Sequence, residues 1–144
     1  MEYQILILGL CVIAWKDAML KQIPNQMLLI LVLVRIVILV SDRTRTIEAL
    51  EGLLIGGGVM FLGYLLSKET MGAGDVKLMA VVGSYVGSDM ILQVILWSTL
   101  AAAAYSLGLL SKNKTETCKE IPFAPFVLLG TIFGFLLENR GVVC

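Results

Sequence analysis

Apolar residues fall into six runs divided by short polar, glycine-bearing or proline-bearing breaks. The runs predict helices at about residues 3–20, 26–40, 47–66, 76–86, 90–110 and 123–137. Several fall short of the ~20 residues that cross a bilayer core upright. The fifth is the clearest, across residues 91–104, and the fourth, ending near Gly87-Ser88-Asp89, is the weakest. The breaks are Ile23-Pro24-Asn25, Ser41-Asp42, Gly72-x-Gly74, Ser88-Asp89 and the polar stretch 111–120. Proline disfavours helix at the residue before it, so Ile23-Pro24 ends the first helix. The expected fold class is an all-α integral membrane protein, six transmembrane helices with short loops, forming a single domain over residues 1–144.

Composition agrees. Of 144 residues, 58% are hydrophobic and only 15% charged, which sets the chain apart from an ordinary soluble domain. Formal net charge is zero, so no basic field marks a nucleic-acid binder. Histidine is absent, which removes the commonest general base and metal ligand. Cys11, Cys118 and Cys144 are scattered and specify neither a disulfide framework nor a zinc site. No cofactor and no metal are expected. The N-terminal run lacks a basic start and a small-x-small cleavage site, and is read as a retained membrane segment.

Glycines recur inside the runs. Gly52 and Gly56 form a G-x-x-x-G, and Gly83 and Gly87 repeat the spacing. Small residues four apart let helix backbones approach closely in lipid, so packing is their expected role, shared with the alanines at 101–104.

Positive charge orients the bundle. With six crossings, the first, third and fifth loops lie on one side and carry Lys16, Lys21, Lys68, Lys77, Lys112, Lys114 and Lys119. The other side holds Arg43, Arg45 and Arg140. Seven cations against three put the odd loops in the cytoplasm and both termini outside. Asp17 then lies at the cytoplasmic end of the first helix. Three crossings later, Asp75 stands at the start of the fourth. Pro122 and Pro125 mark the start of the sixth on the same face.

Ionisable groups near membrane depth are functional candidates. Two facing carboxyls cannot both ionise comfortably, so such a pair shares a proton. The ionised member can activate water while the protonated one polarises a scissile carbonyl, which is amide hydrolysis without a covalent nucleophile. Gly72 and Gly74 would give the backbone before Asp75 freedoms closed to other residues and let an extended chain lie close. Everyday readings exist too. Asp75 could be a helix N-cap and Asp17 a solvated interface residue beside Lys16. Lys77 reads as an interfacial anchor. Arg35, deep in the second run, would seek a partner such as Glu48 or Glu51 of the third.

Three blocks resemble the type IV prepilin peptidase family of GxGD-type membrane aspartic peptidases. Gly72-Ala73-Gly74-Asp75-Val76-Lys77-Leu78 resembles its GxGD block. Asp17, six residues before Ile23-Pro24-Asn25, resembles the other catalytic block. Ile121-Pro122-Phe123-Ala124-Pro125-Phe126 resembles the proline-containing block of the last helix. The resemblance implies an endopeptidase that removes the leader from prepilin-like precursors at the cytoplasmic membrane face, with Asp17 and Asp75 as its catalytic aspartates. It also implies a bilayer setting and a pilin-like protein substrate. Larger members carry a cytoplasmic methyltransferase region with paired cysteines. This chain passes from Leu20 to its second helix in a few residues, so the compact, peptidase-only type of Flp/Tad-like systems is expected. Two rival readings remain at this stage: a presenilin-like intramembrane protease, and a small transporter or assembly subunit using the aspartates as an ion site.

A reporter fused after Ser111 is expected on the cytoplasmic side and one fused after Asp42 outside. Compartment-specific labelling of the two fusions checks the orientation.

Overall fold

The computed structural model describes residues 2–20, 25–41, 43–66, 72–111 and 122–140. Six α-helices follow in chain order: α1 (Glu2–Leu20), α2 (Asn25–Ser41), α3 (Thr46–Leu66), α4 (Ala73–Val86), α5 (Ser88–Ser111) and α6 (Ala124–Asn139). A single 3-10 turn, Arg43–Arg45, links α2 to α3. Ile23, Pro24, Lys21, Lys68, Lys112, Lys114, Lys119, Cys118 and Cys144 lie outside the described residues.

Two boundaries differ from the sequence expectation. α4 begins at Ala73 rather than Val76, so Gly74 and Asp75 belong to its first turn. α5 begins at Ser88, so Ser88-Asp89 opens a helix instead of forming a loop. The whole break between α4 and α5 is Gly87. Its φ of 86° is the left-handed conformation that favours glycine, and its N–H still donates to Gly83 O at 2.9 Å.

Length and composition allow α1, α3 and α5 to cross a membrane; α2 and α6 are shorter apolar helices. The 14 residues of α4 reach only about 21 Å at 1.5 Å per residue. The environment of the outer surface is legible in what it exposes. Leu8, Leu29, Val37, Leu54, Leu62, Leu96, Leu107 and Leu129 all lie more than half open on the outside of the bundle. A water-soluble surface does not sustain apolar exposure on that scale, whereas lipid does.

α4 is the pillar. It touches every other helix, and Leu78, Met79 and the run from Val81 to Val86 are buried. Its closest neighbour is α3, and glycines set that approach. A Cβ on Gly52 would run into the Gly83 carbonyl oxygen, and one on Gly83 into the Gly52 carbonyl oxygen. One turn along, a Cβ on Gly56 would lie 2.7 Å from Met79 O. The expected packing role of Gly52, Gly56 and Gly83 therefore holds, while Gly87 serves a turn. Ala101–Ala104 do not share it, being half-buried or exposed. The close approach of α5 to α6 is made instead by Gly130 against Val94 and Ser98.

Three buried hydroxyls find acceptors one turn back in their own helices. Ser84, Ser98 and Thr131 hydroxyls donate to the carbonyls of Val81, Val94 and Val127 in their own helices. The Arg35 guanidinium carbon lies 5.0 Å from the centroid of the Tyr85 ring, a cation–π contact between α2 and α4. Tyr85 O–H in turn donates to Leu31 O at 2.7 Å. Glu48 and Glu51, the partners expected for Arg35, are solvent-facing or lipid-facing at the bundle's exterior.

Gly83→Ala is expected to force α3 and α4 apart and destabilise the protein by about 1–3 kcal/mol or more. Gly58→Ala, where a Cβ meets nothing within 4 Å, should be neutral or mildly stabilising. Unfolding of the two variants in detergent checks the contrast.

Candidate active site

Asp17 stands one turn before the end of α1 and continues its inner stripe. Leu6, Leu10, Ile13, Ala14 and Asp17 are all buried, at the spacing of one helix face. Only 4% of Asp17 is exposed, whereas neighbouring Lys16 points outward. The reading of Asp17 as a solvated interface residue is therefore overturned. A helix turns about 100° per residue, which separates adjacent side chains onto different faces.

Asp75 is the third residue of α4, and Gly72 is the cap. The reading of Asp75 as an N-cap is corrected accordingly. Asp75 N–H donates to Gly72 O at 3.0 Å, while the Gly72 N–H faces the Asp75 carboxylate. Gly72 has φ −69° and ψ 133°, extended backbone open to any residue, and Gly74 is helical. Conformational freedom is thus not what either glycine contributes. A Cβ on Gly72 would come 3.5 Å from Asp75 Oδ2, so what the glycine leaves is open space beside the carboxylate. Lys77 is exposed.

The Asp17 carboxyl bears electrostatically on Asp75 across α1 and α4, which pack against each other, so the two lie toward one end of the bundle. The start of α6 joins them there. Ala124 N–H donates to Asp17 Oδ2 at 3.0 Å, and the Phe123 N–H faces the same carboxylate. Antiparallel packing brings this about. Tyr3 near the start of α1 meets Phe135 near the end of α6, with ring centroids 5.3 Å apart, so the end of α1 meets the start of α6. Tyr105 of α5 holds that start from the other side, 5.5 Å from the Phe126 ring.

Asn25 begins α2 and is exposed; Ile23 and Pro24 are not among the described residues. Pro122 and Pro125 are half-buried, Pro125 being the second residue of α6. Sequence reasoning missed Phe123 and Ala124. A signal was present: prolines on both sides lack N–H groups, so the two residues between them are the donors that stretch can offer.

Chemically, the site offers two interacting carboxyls, one fully buried and one half-buried, beside exposed backbone at Gly72 and Ala73. Among the described residues, no group of three or more His, Cys, Asp or Glu gathers in a metal-holding cluster.

Residues 4–107, which include both aspartates, match the type IV leader peptidase family. The chain belongs to that family. Among curated relatives, it is 34% identical over 84 residues to a prepilin leader peptidase/N-methyltransferase of Aeromonas salmonicida, covering 58% of this chain and 29% of the relative. A protein of the same description from Bacillus subtilis is 28% identical over 130 residues, covering 88% of this chain and 52% of the relative. One from Pectobacterium carotovorum is 29% identical over 76 residues, covering 53% and 27%. The chain thus spans about half or less of the length of these type IV leader peptidase relatives. No solved structure matches it significantly.

Asp17→Ala would leave the Phe123 and Ala124 N–H groups without their acceptor. A loss of about 1–3 kcal/mol is expected, and Asp17→Asn, which keeps an oxygen, should lose less. Thermal unfolding in detergent measures both.

Proposed function

We propose that this chain is a membrane aspartic endopeptidase that removes the leader peptide of prepilin-like precursors. The reading is supported by the electrostatic influence of Asp17 on Asp75 between packed α1 and α4, in a chain of the type IV leader peptidase family. One carboxyl activates a water and its partner donates a proton to the scissile amide. The two exchange roles as the tetrahedral intermediate collapses and the amine leaves.

In this reading all six helices lie in the membrane, with α4 shielded by its neighbours and hydrocarbon contact left to the others. The aspartate end faces the cytoplasm, and both termini lie outside. The substrate is a prepilin, Flp pilin or pseudopilin precursor whose apolar helix lies in the bilayer. Its extended leader junction passes the open strip at Gly72-Ala73 to reach the carboxyls. The chain acts as one peptidase domain.

Co-expression with a candidate prepilin tests the proposal. Asp17→Asn and Asp75→Asn should each still insert in the membrane and lower processing by on the order of 10²–10⁴-fold or more. Wild-type cleavage should give a bell-shaped rate profile with pH. Normal processing by either variant would refute the carboxyl pair.

A further inference from the structure

We propose that the first turn of α6 positions the Asp17 carboxylate, with Phe123 and Ala124 as positioning residues acting through their backbone N–H groups. Catalytic relevance rests on the function proposed above; the contact itself does not.

The donors of that turn account for themselves. A helix begins with N–H groups that have no partner within it. In α6, Phe126 N–H and Val127 N–H both turn back to Phe123 O, at 3.0 and 3.2 Å. Pro125 has no N–H. The two that remain, Phe123 and Ala124, face the carboxylate of a residue more than a hundred positions earlier in the chain. Asp17 therefore caps α6 from another helix, where the residue at the cap, Phe123, has no side chain able to do so. Pro125 denies the turn a third donor that would compete for the same oxygens.

The reverse effect matters for chemistry. Rotation of an aspartate carboxyl about its last torsion is soft, so α1 alone does not fix where the oxygens point. Two N–H groups from a packed helix start do. Ala124 is fully buried, which keeps water from competing for its hydrogen bond. Asp75 is treated alike by the Gly72 N–H at the head of α4. Each carboxyl thus faces a helix N-terminus, whose partial positive charge stands where a lysine could have stood. Of the charged groups on the described residues, Asp75 on α4 is the one coupled to Asp17. Lys16 on α1 and Lys77 on α4 are exposed, and the first turn of α6 carries no acid.

Phe123-Ala124 is the only Phe-Ala step in the sequence, so carbonyl-¹³C phenylalanine with ¹⁵N alanine marks the Ala124 amide alone. In the full-length Asp75→Asn protein in micelles, that resonance should move with pH through one titration. The movement should vanish when Asp17→Asn is added. In the otherwise wild-type chain, replacing Ala124 by lactic acid turns this one amide into an ester. A fall in kcat on the order of tenfold is expected, with KM within about twofold and the pH–rate profile displaced. The same ester at Leu129, on the exposed side of α6, should leave kcat and the pH profile in place. An Ala124 amide indifferent to Asp17, or an Ala124 ester with unchanged kcat and pH profile, would overturn the inference while precursor cleavage stands. An amide that titrates in a chain that cleaves no prepilin would overturn the proposed function instead, and with it the catalytic part of this inference.

Discussion

A carboxylate withdrawn from water has to be met by hydrogen-bond donors, and the rest of the site follows from how Asp17 is met. Leaving such a group unpaired in an apolar interior costs several kcal/mol, and no lysine or arginine is turned toward it on its own helix. The bundle supplies peptide N–H groups from the start of α6. That solution requires α6 to run antiparallel to α1 in one register. The ring contacts at Tyr3–Phe135 and Tyr105–Phe126 hold that register along the helix. The polar contact and the aromatic packing are therefore two ends of one constraint.

Asp75 depends on a second constraint, the position of α4. This helix touches all the others and carries a nearly continuous buried run, so it cannot shift without disturbing the whole core. Glycine pairs lock it against α3 at backbone contact, where van der Waals packing does the work that the hydrophobic effect does in water. At the far end Tyr85 ties it to α2 through Leu31 and Arg35. The carboxyl at its head is held by its own cap. One aspartate is thus fixed by helix-to-helix capping and the other by the pillar of the bundle.

Much of this was legible in the chain. Apolar runs and their breaks gave six helices within a few residues of their ends, because a run of Leu, Ile and Val interrupted by Gly, Pro or charge has few ways to be buried in lipid. Counting crossings put Asp17, Asp75 and the Pro122–Pro125 stretch at one end. The glycines before Asp75 were legible only in part. Sequence identifies a glycine but not which of its properties is used, and here space beside the carboxylate, not backbone freedom, is what Gly72 supplies. The start of α4 was misplaced because Ala73 and Gly74 are poor markers of helix on their own. Tertiary packing and the cap at Gly72 wind them in. The contact between Asp17 and Ala124 has no side-chain signature on one of its two sides, so a reading based on side chains passes over it.

Backbone donors differ from side-chain cations in one respect that bears on a site open to a peptide. A lysine near a carboxyl pair is a mobile charge on a long stem and competes with the substrate for the same oxygens. An N–H at a helix start is fixed by the helix, and its partial charge stays put as the proton count of the site changes. Holding Asp17 through Phe123 and Ala124, and Asp75 through Gly72, needs no such competitor among the described residues beside the open strip at Gly72-Ala73. It also makes the geometry of the pair a property of three helix ends rather than of any one side chain. A chain without histidine, whose lysines beside both aspartates are turned outward, needs an arrangement of this kind if its two carboxyls are to hydrolyse an amide.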